Sequence, residues 1–133
     1  GDNLFTFSLN PILASFSRRG NTLTTYNVRD IERARRAGQV TSDINGQVIA
    51  FVEKPSHPAS MEVSIGIYAL QAEIREVISE YISLGLPTDR SGDLMTWMHR
   101  KVTLFAYPIP HDKGFWLDIG TPADYRLARR HFN

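Results

Sequence analysis

Apolar residues along the chain switch between helical and strand-like spacing. The clearest helical pattern is 71–83, where apolar side chains recur three and four positions apart. Its apolar positions are Ile74, Val77, Ile78, Tyr81 and Ile82. Further helices, each marked by a capping residue, a proline or a glycine, are predicted over 10–20, 31–37, 92–100 and from Thr121 onward. Asn10, Asp30 and Thr121 are the predicted N-caps.

The remaining apolar runs predict β-strands. Residues 63–70 are mostly apolar, as in a central strand that is covered on both faces. A hairpin is predicted between strands 39–42 and 47–54, because the intervening Asn45-Gly46 pair tolerates the positive φ of a tight turn. Strands are also predicted over 21–28, 102–107 and 115–118. Since strands and helices alternate, the predicted fold class is α/β, with a mixed sheet flanked by helices.

Composition fits one globular domain of 133 residues, 42% of them hydrophobic. Fifteen basic and fourteen acidic residues leave a net charge of +1, which gives no signal for binding nucleic acid or an anionic membrane. Basic pairs such as Arg35-Arg36 are interpreted as solvated helix faces. The absence of cysteine excludes disulfides and thiolate metal sites and is compatible with a reducing cytoplasm, the location that we expect. No apolar run approaches the roughly 20 residues that a membrane span needs.

Two acidic residues lie beside glycines at predicted strand ends. Asp118 ends a buried strand and precedes Gly120, and Asp2 follows Gly1 at the start of the chain. Open α/β sheets bind ligands at the carboxyl ends of their strands. Two converging carboxylates repel each other unless a cation joins them, and Mg²⁺ takes one or two carboxylates together with substrate phosphates. The spacing alone leaves open a turn-forming Asp2 and a surface Asp118.

The tripeptide Glu53-Lys54-Pro55 ends another predicted strand. Pro55 biases Lys54 toward an extended backbone, which would send the Glu53 and Lys54 side chains to opposite faces. An ammonium group suits a phosphate, and a carboxylate suits sugar hydroxyls. On the tripeptide alone, a solvent-exposed charge pair is the more common explanation.

Gly66 lies inside an apolar strand, between Ser64 and Tyr68. A glycine there marks a bulge or the close approach of a ligand or another backbone, and helix packing against the sheet explains it equally well. Trp116 fits either the core or an aromatic surface for a sugar ring. The four histidines show no metal-ligand spacing, and we find no nucleophile elbow and no glycine-rich phosphate loop.

These segments, in this order and spacing, resemble the sugar-phosphate nucleotidyltransferases, which join a sugar 1-phosphate to a nucleoside triphosphate and release pyrophosphate. The motifs that carry the resemblance are Gly1–Asn3, Val48–Pro55, Ser64–Leu70 and Phe115–Tyr125. The resemblance implies a Rossmann-like fold, an enzyme of NDP-sugar biosynthesis, and Mg²⁺ as cofactor. It implies a sugar 1-phosphate and a nucleoside triphosphate as partners, with the base and the sugar, of glucose or mannose type, left open.

The resemblance also implies catalytic roles. The aspartates of the first and last motifs, Asp2 and Asp118, would hold Mg²⁺. The lysine of the Glu-Lys-Pro motif, Lys54, would bind the phosphate of the sugar phosphate.

Four further residues would form the sugar site. By resemblance, Glu53 contacts the sugar, Gly66 lets the sugar approach the backbone, and Trp116 lines the pocket. Ser64 stands where the family often has Asn or Thr, and its shorter side chain would change the hydrogen bonds offered to the sugar.

The resemblance covers only the C-terminal, sugar-recognising part of the family's domain. The glycine-rich loop, arginine and lysine that grip the triphosphate are not found in residues 1–133. We therefore expect residues 1–133 to be a fragment of a nucleotidyltransferase domain that shows no turnover alone. Exposed apolar sheet surface would then favour a homo-oligomer or a swapped assembly.

Two other function classes stay open. One is a non-catalytic sugar-phosphate-binding or regulatory relative that lacks the first loop naturally, and the coding sequence upstream of Gly1 distinguishes it from the enzyme. The other is an α/β interaction module, which does not explain why acids and a lysine cluster at strand ends.

Overall fold

Strands and helices alternate along residues 2–132, the part of the chain that the computed structural model describes. In chain order these elements are β1 (Asn3–Phe5), α1 (Asn10–Arg19), β2 (Thr22–Asn27), α2 (Ile31–Ala34), β3 (Gly38–Ser42), β4 (Val48–Glu53), β5 (Glu62–Ala69), α3 (Ile74–Ser83), α4 (Ser91–Met98), β6 (Phe105–Pro108), β7 (Trp116–Asp118) and α5 (Pro122–His131).

Five strands form a mixed sheet in the order β4-β3-β5-β2-β6. Strands β2 and β6 are parallel, and the other neighbours are antiparallel. Strands β1 and β7 form a separate antiparallel ribbon, in which Asn3 lies opposite Asp118 and Phe5 opposite Trp116. The predicted α/β class with a mixed sheet is confirmed. The separate ribbon was not predicted, because it pairs segments from the two ends of the chain that share no local signal.

The five-stranded sheet separates two apolar cores. Helices α3 and α4 cover one face, where the core includes Leu23, Phe51, Ile74, Met95 and Met98. Helices α1 and α2 and the ribbon cover the other face, where the core includes Ile12, Tyr26, Ala34, Val63 and Trp116. Strand β5, the predicted central strand, lies between β3 and β2 and contributes to both cores.

Capping residues mark two helix starts as predicted. The Asp30 carboxylate accepts two backbone N–H groups of α2, and the Thr121 hydroxyl accepts the Asp124 N–H at the start of α5. The prediction for α1 was wrong, because the helix already begins at Asn10 and Leu9 takes the cap position without a side-chain bond. Local hydrogen bonding therefore defines where α2 and α5 start.

The predicted hairpin joins β3 to β4. Gly46 has a φ of +80°, whereas Asn45 is not among the residues with positive φ. The Asp43 carboxylate closes the turn by accepting the backbone N–H groups of Asn45 and Gln47 at 2.8 and 2.9 Å. The glycine alone thus supplies the left-handed conformation.

Helices α1, α3 and α5 each leave exposed one apolar side chain that the spacing places on the buried face. The side chains of Leu13, Ile82 and Tyr125 are more than half exposed. Within residues 2–132, none of the helices combines the length and apolar character that crossing a membrane requires.

Candidate active site

An open cleft of about 390 Å³ lies between the β1–β7 ribbon, the end of β4, the middle of β5 and the start of α4. That volume falls within the usual range for small-molecule sites. Six of the predicted site residues line it: Asp2, Glu53, Ser64, Gly66, Trp116 and Asp118. They come from β4, β5, β7 and the residue before β1, so the tertiary fold brings together distant parts of the chain.

Pairing within the ribbon makes Asp2 and Asp118 neighbours. Asn3 lies directly opposite Asp118, and the Asp2 carbonyl accepts the Ile119 N–H at 2.7 Å. Gly1, which precedes Asp2 in the motif, lies outside the described residues. Both Asp2 and Asp118 are exposed at this end of the ribbon.

The two carboxylates also interact electrostatically. Burial raises the pKa of Asp118, and the negative charges of Asp2 and Asp124 raise it further. The positive charges of Arg36 and Lys54 oppose this rise in pKa. The Asp118 carboxylate therefore carries a penalty for its charge that a bound cation would reduce.

Two carboxylates at the cleft, Asp2 and Asp118, are the oxygen donors that could hold a divalent cation. Among residues 2–132, no cluster of three or more histidine or acidic side chains is arranged to hold a metal ion. A cation at Asp2 and Asp118 would thus have two protein carboxylates, which is the number that Mg²⁺ typically takes before water and phosphate oxygens complete its shell.

Trp116 belongs to the core and to the cleft wall at once. Its side chain is 9% exposed and packs near Tyr26, with ring centroids 6.1 Å apart. Its indole Nε1–H donates to Asn3 Oδ1 at 2.8 Å. Trp116 therefore packs in the core, and it also lines the cleft.

Gly66 forms a bulge in β5. Thr25 of β2 lies opposite Ser64, and Leu23 lies opposite Tyr68, so β5 has three residues between these pairs where β2 has one. Gly66 has a φ of +74°, and an added Cβ would meet nothing within 4 Å. The bulge explains the glycine conformationally and leaves open space over its backbone in the cleft.

The bulge also brings two hydroxyl groups together. Ser64 Oγ and Tyr68 Oη are 3.2 Å apart, and both residues line the cleft. Ser64 is 9% exposed, so its hydroxyl is held at the back of the wall rather than projecting freely.

Two glycines enclose the Glu53 carboxylate. A Cβ on Gly92, in the first turn of α4, would lie 1.8 Å from Glu53 Oε2. A Cβ on Gly38 would lie 3.0 Å from the same oxygen and 2.5 Å from the Phe51 ring. Burial raises the pKa of Glu53, the neighbouring Lys54 lowers it, and Asp93 raises it. The Glu53 carboxylate therefore occupies space at the cleft wall that is free only because residues 38 and 92 are glycines.

Lys54 has a backbone conformation that the sequence analysis predicted wrongly. Its φ is +45°, in the left-handed region, instead of the extended geometry expected before Pro55. The chain turns here as β4 ends, and the Lys54 N–H donates to the Ala37 carbonyl at 3.2 Å. Lys54 is not among the residues lining the cleft, but its charge lowers the pKa of both Glu53 and Asp118.

Comparison with known proteins places the chain in a family. Residues 1–133 match the family described as Nucleotidyl transferase. The chain belongs to the nucleotidyl transferase family.

The curated relatives of the chain have names consistent with that family. Glucose-1-phosphate adenylyltransferases of Thermosipho africanus (strain TCF52B) and Thermosipho melanesiensis (strain DSM 12029 / CIP 104789 / BI429) are each 30% identical over 129 residues. Both alignments cover 94% of this chain. The chain spans 30% of the length of each relative.

A solved structure supports the same fold. A crystal structure of a protein from Bacillus anthracis, provisionally described as a glucose-1-phosphate thymidylyltransferase in complex with sucrose, matches with a TM-score of 0.77 and 24% identity. The match covers 98% of this chain and 51% of the other chain. The Rossmann-like α/β fold expected of a nucleotidyltransferase is confirmed.

Several residues that line the cleft were missed by the sequence analysis. Arg36 was interpreted as part of a solvated pair, but it lines the cleft, whereas Arg35 pairs with Glu32 at 3.0 Å on the surface. Arg90 and Gly92 also line the cleft. The arginines carry no motif, and Gly92 could have been found only by asking why a glycine stands in the first turn of a helix.

Proposed function

We propose that the protein transfers a nucleotidyl group from a nucleoside triphosphate to a sugar 1-phosphate, giving an NDP-sugar and pyrophosphate. Membership of the nucleotidyl transferase family supports this reaction class. The observation that carries the proposal is that Asp2, Asp118 and Glu53 line one cleft. The backbone at Gly66, which has open space over it, lines the same cleft.

In this proposal Asp2 and Asp118 hold Mg²⁺. The ion would neutralise charge on the reacting phosphates, which is the main requirement of phosphoryl transfer chemistry. Arg36 and Lys54, whose charges already act on Asp118, would add positive potential for the phosphate of the sugar phosphate.

Other residues of the same cleft would bind the sugar. Glu53 accepts hydrogen bonds from sugar hydroxyls, and the bulge at Gly66 lets the ring approach the backbone. The Trp116 indole provides an apolar surface for the ring. Ser64, which faces Tyr68, would contribute to the choice of sugar.

We further propose that residues 1–133 form the sugar-phosphate-binding, C-terminal part of a nucleotidyltransferase domain. The groups predicted for sugar and metal lie in the described cleft, which supports this division. Self-association as a homo-oligomer or swapped assembly, and a cytoplasmic location, stay predictions.

Two assays test the proposal. Calorimetry of the purified chain with glucose 1-phosphate and with mannose 1-phosphate, in the presence of Mg²⁺, is expected to show binding of one of them. Glu53→Gln should weaken that binding by about tenfold or more, because it replaces a charged acceptor. Glu80→Gln is the matched control. Glu80 lies on α3, forms an ion pair with Lys101 and does not line the cleft.

Turnover is measured on the natural protein by pyrophosphate release, with each nucleoside triphosphate and the sugar 1-phosphate that binds. Release that is lost in Asp118→Asn supports the proposal. Sugar-phosphate binding without any pyrophosphate release would favour the regulatory relative instead. No binding of either sugar phosphate would refute the assignment of the cleft.

A further inference from the structure

A short chain of hydrogen bonds runs from the core to the Asp2 carboxylate. The Trp116 indole Nε1–H donates to Asn3 Oδ1 at 2.8 Å. Asn3 Nδ2 then donates to Asp2 Oδ1 at 3.1 Å. All three residues line the cleft together with Asp118.

The chemistry of the indole determines the direction of this chain. An indole N–H is a donor only, whereas a carboxamide has one acceptor side and one donor side. The Asn3 amide must therefore turn its oxygen to Trp116, which leaves its NH₂ group facing Asp2. Without the indole, the Asn3 amide could rotate and turn its oxygen toward the Asp2 carboxylate. The two negatively polarised oxygens would then repel each other.

The two ends of the chain differ in how firmly they are held. Trp116 is 9% exposed and packs in the core near Tyr26. Asp2 is exposed and lies outside any strand. The hydrogen bonds thus connect a side chain that packing immobilises to a carboxylate that packing does not immobilise.

We propose that Trp116 and Asn3 are positioning residues, which hold the Asp2 carboxylate in the orientation that lets it share a divalent cation with Asp118. This inference rests on the metal site of the proposed function. It gives Trp116 a second role that depends on its N–H group, in addition to its packing in the cleft wall. Mutation of groups that orient metal-binding side chains typically lowers metal affinity about 10–100-fold.

Binding of Mn²⁺ alone, followed by the electron paramagnetic resonance signal of the free ion, measures this role without any turnover. Trp116→Phe keeps an aromatic ring in the core and removes the N–H group, and Asn3→Leu keeps the approximate size and removes both polar atoms. Each should raise the dissociation constant for Mn²⁺ about tenfold. The double variant should be no weaker than Asn3→Leu alone, because both changes break one chain.

Trp97→Phe is the matched control. Trp97 lies in α4, where it packs edge-on against Tyr81, and it does not line the cleft. The sequence contains two tryptophans, so an NMR spectrum should show two indole N–H signals that can be assigned with the Trp97→Phe variant. These signals give a second readout that needs no metal. Asn3→Leu should shift the Trp116 indole resonance and leave the Trp97 resonance in place.

The outcomes separate this inference from the function it rests on. If Asp2→Asn abolishes Mn²⁺ binding while Trp116→Phe and Asn3→Leu bind as tightly as the wild type, the positioning role is refuted and the metal site stands. If the wild-type protein does not bind Mn²⁺ at all, both the metal site and the positioning role are refuted.

Discussion

Gly92 has no side chain, and the Glu53 carboxylate occupies the space beside it. Gly92→Ala, which adds one methyl group, tests this packing. In Gly92→Ala the new Cβ would lie 1.8 Å from Glu53 Oε2 and 2.2 Å from Glu53 Cδ. Ordinary contacts begin at 3.4 Å, so the carboxylate must move by about 1.6 Å. The end of a flexible side chain can make that move, and the backbone of α4 can therefore stay in place.

We expect the effect of Gly92→Ala on the free energy of unfolding to differ between the Glu53→Ala and wild-type backgrounds. In Glu53→Ala the methyl group meets no carboxylate, and Gly92→Ala should stabilise the fold by about 0.4–1 kcal/mol because it restricts the unfolded chain. In the wild-type background the displaced carboxylate should cancel or reverse this gain. We expect a coupling free energy of about 1 kcal/mol or more, measured by urea unfolding of the four proteins.

Sugar binding gives the functional half of the same experiment. A carboxylate displaced by more than 1 Å should weaken sugar 1-phosphate binding about tenfold or more, as judged by calorimetry, because charged hydrogen bonds depend on geometry. Gly38→Ala is the comparison, since its Cβ would meet the buried Phe51 ring at 2.5 Å in both backgrounds and Glu53 Oε2 only at 3.0 Å, so its coupling to Glu53→Ala should be much weaker. It should destabilise both backgrounds by about 1–3 kcal/mol. Additive effects of Gly92→Ala and Glu53→Ala would show that the Glu53 carboxylate does not occupy the space beside Gly92.

Other changes test the remaining parts of the site. Lys54 has a φ of +45°, so Lys54→Gly should be more stable to urea than Lys54→Ala by about 1 kcal/mol, and equal stability would contradict backbone strain there. Burial raises the pKa of Asp118, so the folded state holds this proton more tightly than the unfolded chain, and the resulting stability is lost as pH rises through the raised pKa. Asp118→Asn should therefore raise the Tm at neutral pH and give no gain below the ordinary aspartate pKa of about 3.9, in metal-free buffer; an equal gain at both pH values would be the contrary result. Thr121→Ala removes the cap of α5 and should cost about 1 kcal/mol in chemical unfolding, whereas Thr121→Ser should cost little.

Local features of the fold could be predicted because their causes lie within a few residues. The caps at Asp30 and Thr121, the hairpin at Gly46 and the bulge at Gly66 each depend on one side chain or one missing side chain. The prediction failed at Lys54, because the effect of Pro55 on its neighbour competes with the turn that ends β4.

The candidate site combines residues that no local rule connects. Asp2 and Asp118 meet because β1 pairs with β7, and no spacing in the sequence predicts that register. The resemblance supplied the roles of these acids, and the structure supplied their proximity. Gly92 and Arg36 were missed, since their importance depends on which side chain lies across the cleft.

Anomalous scattering of Mn²⁺ in crystals grown with a sugar 1-phosphate tests directly whether Asp2 and Asp118 bind one divalent cation beside the sugar site, as we propose. We expect one peak in contact with both carboxylates, in the part of the cleft that Trp116 and Gly66 line. A peak bound elsewhere, or carboxylates that point away from each other in the electron density, would contradict this proposal.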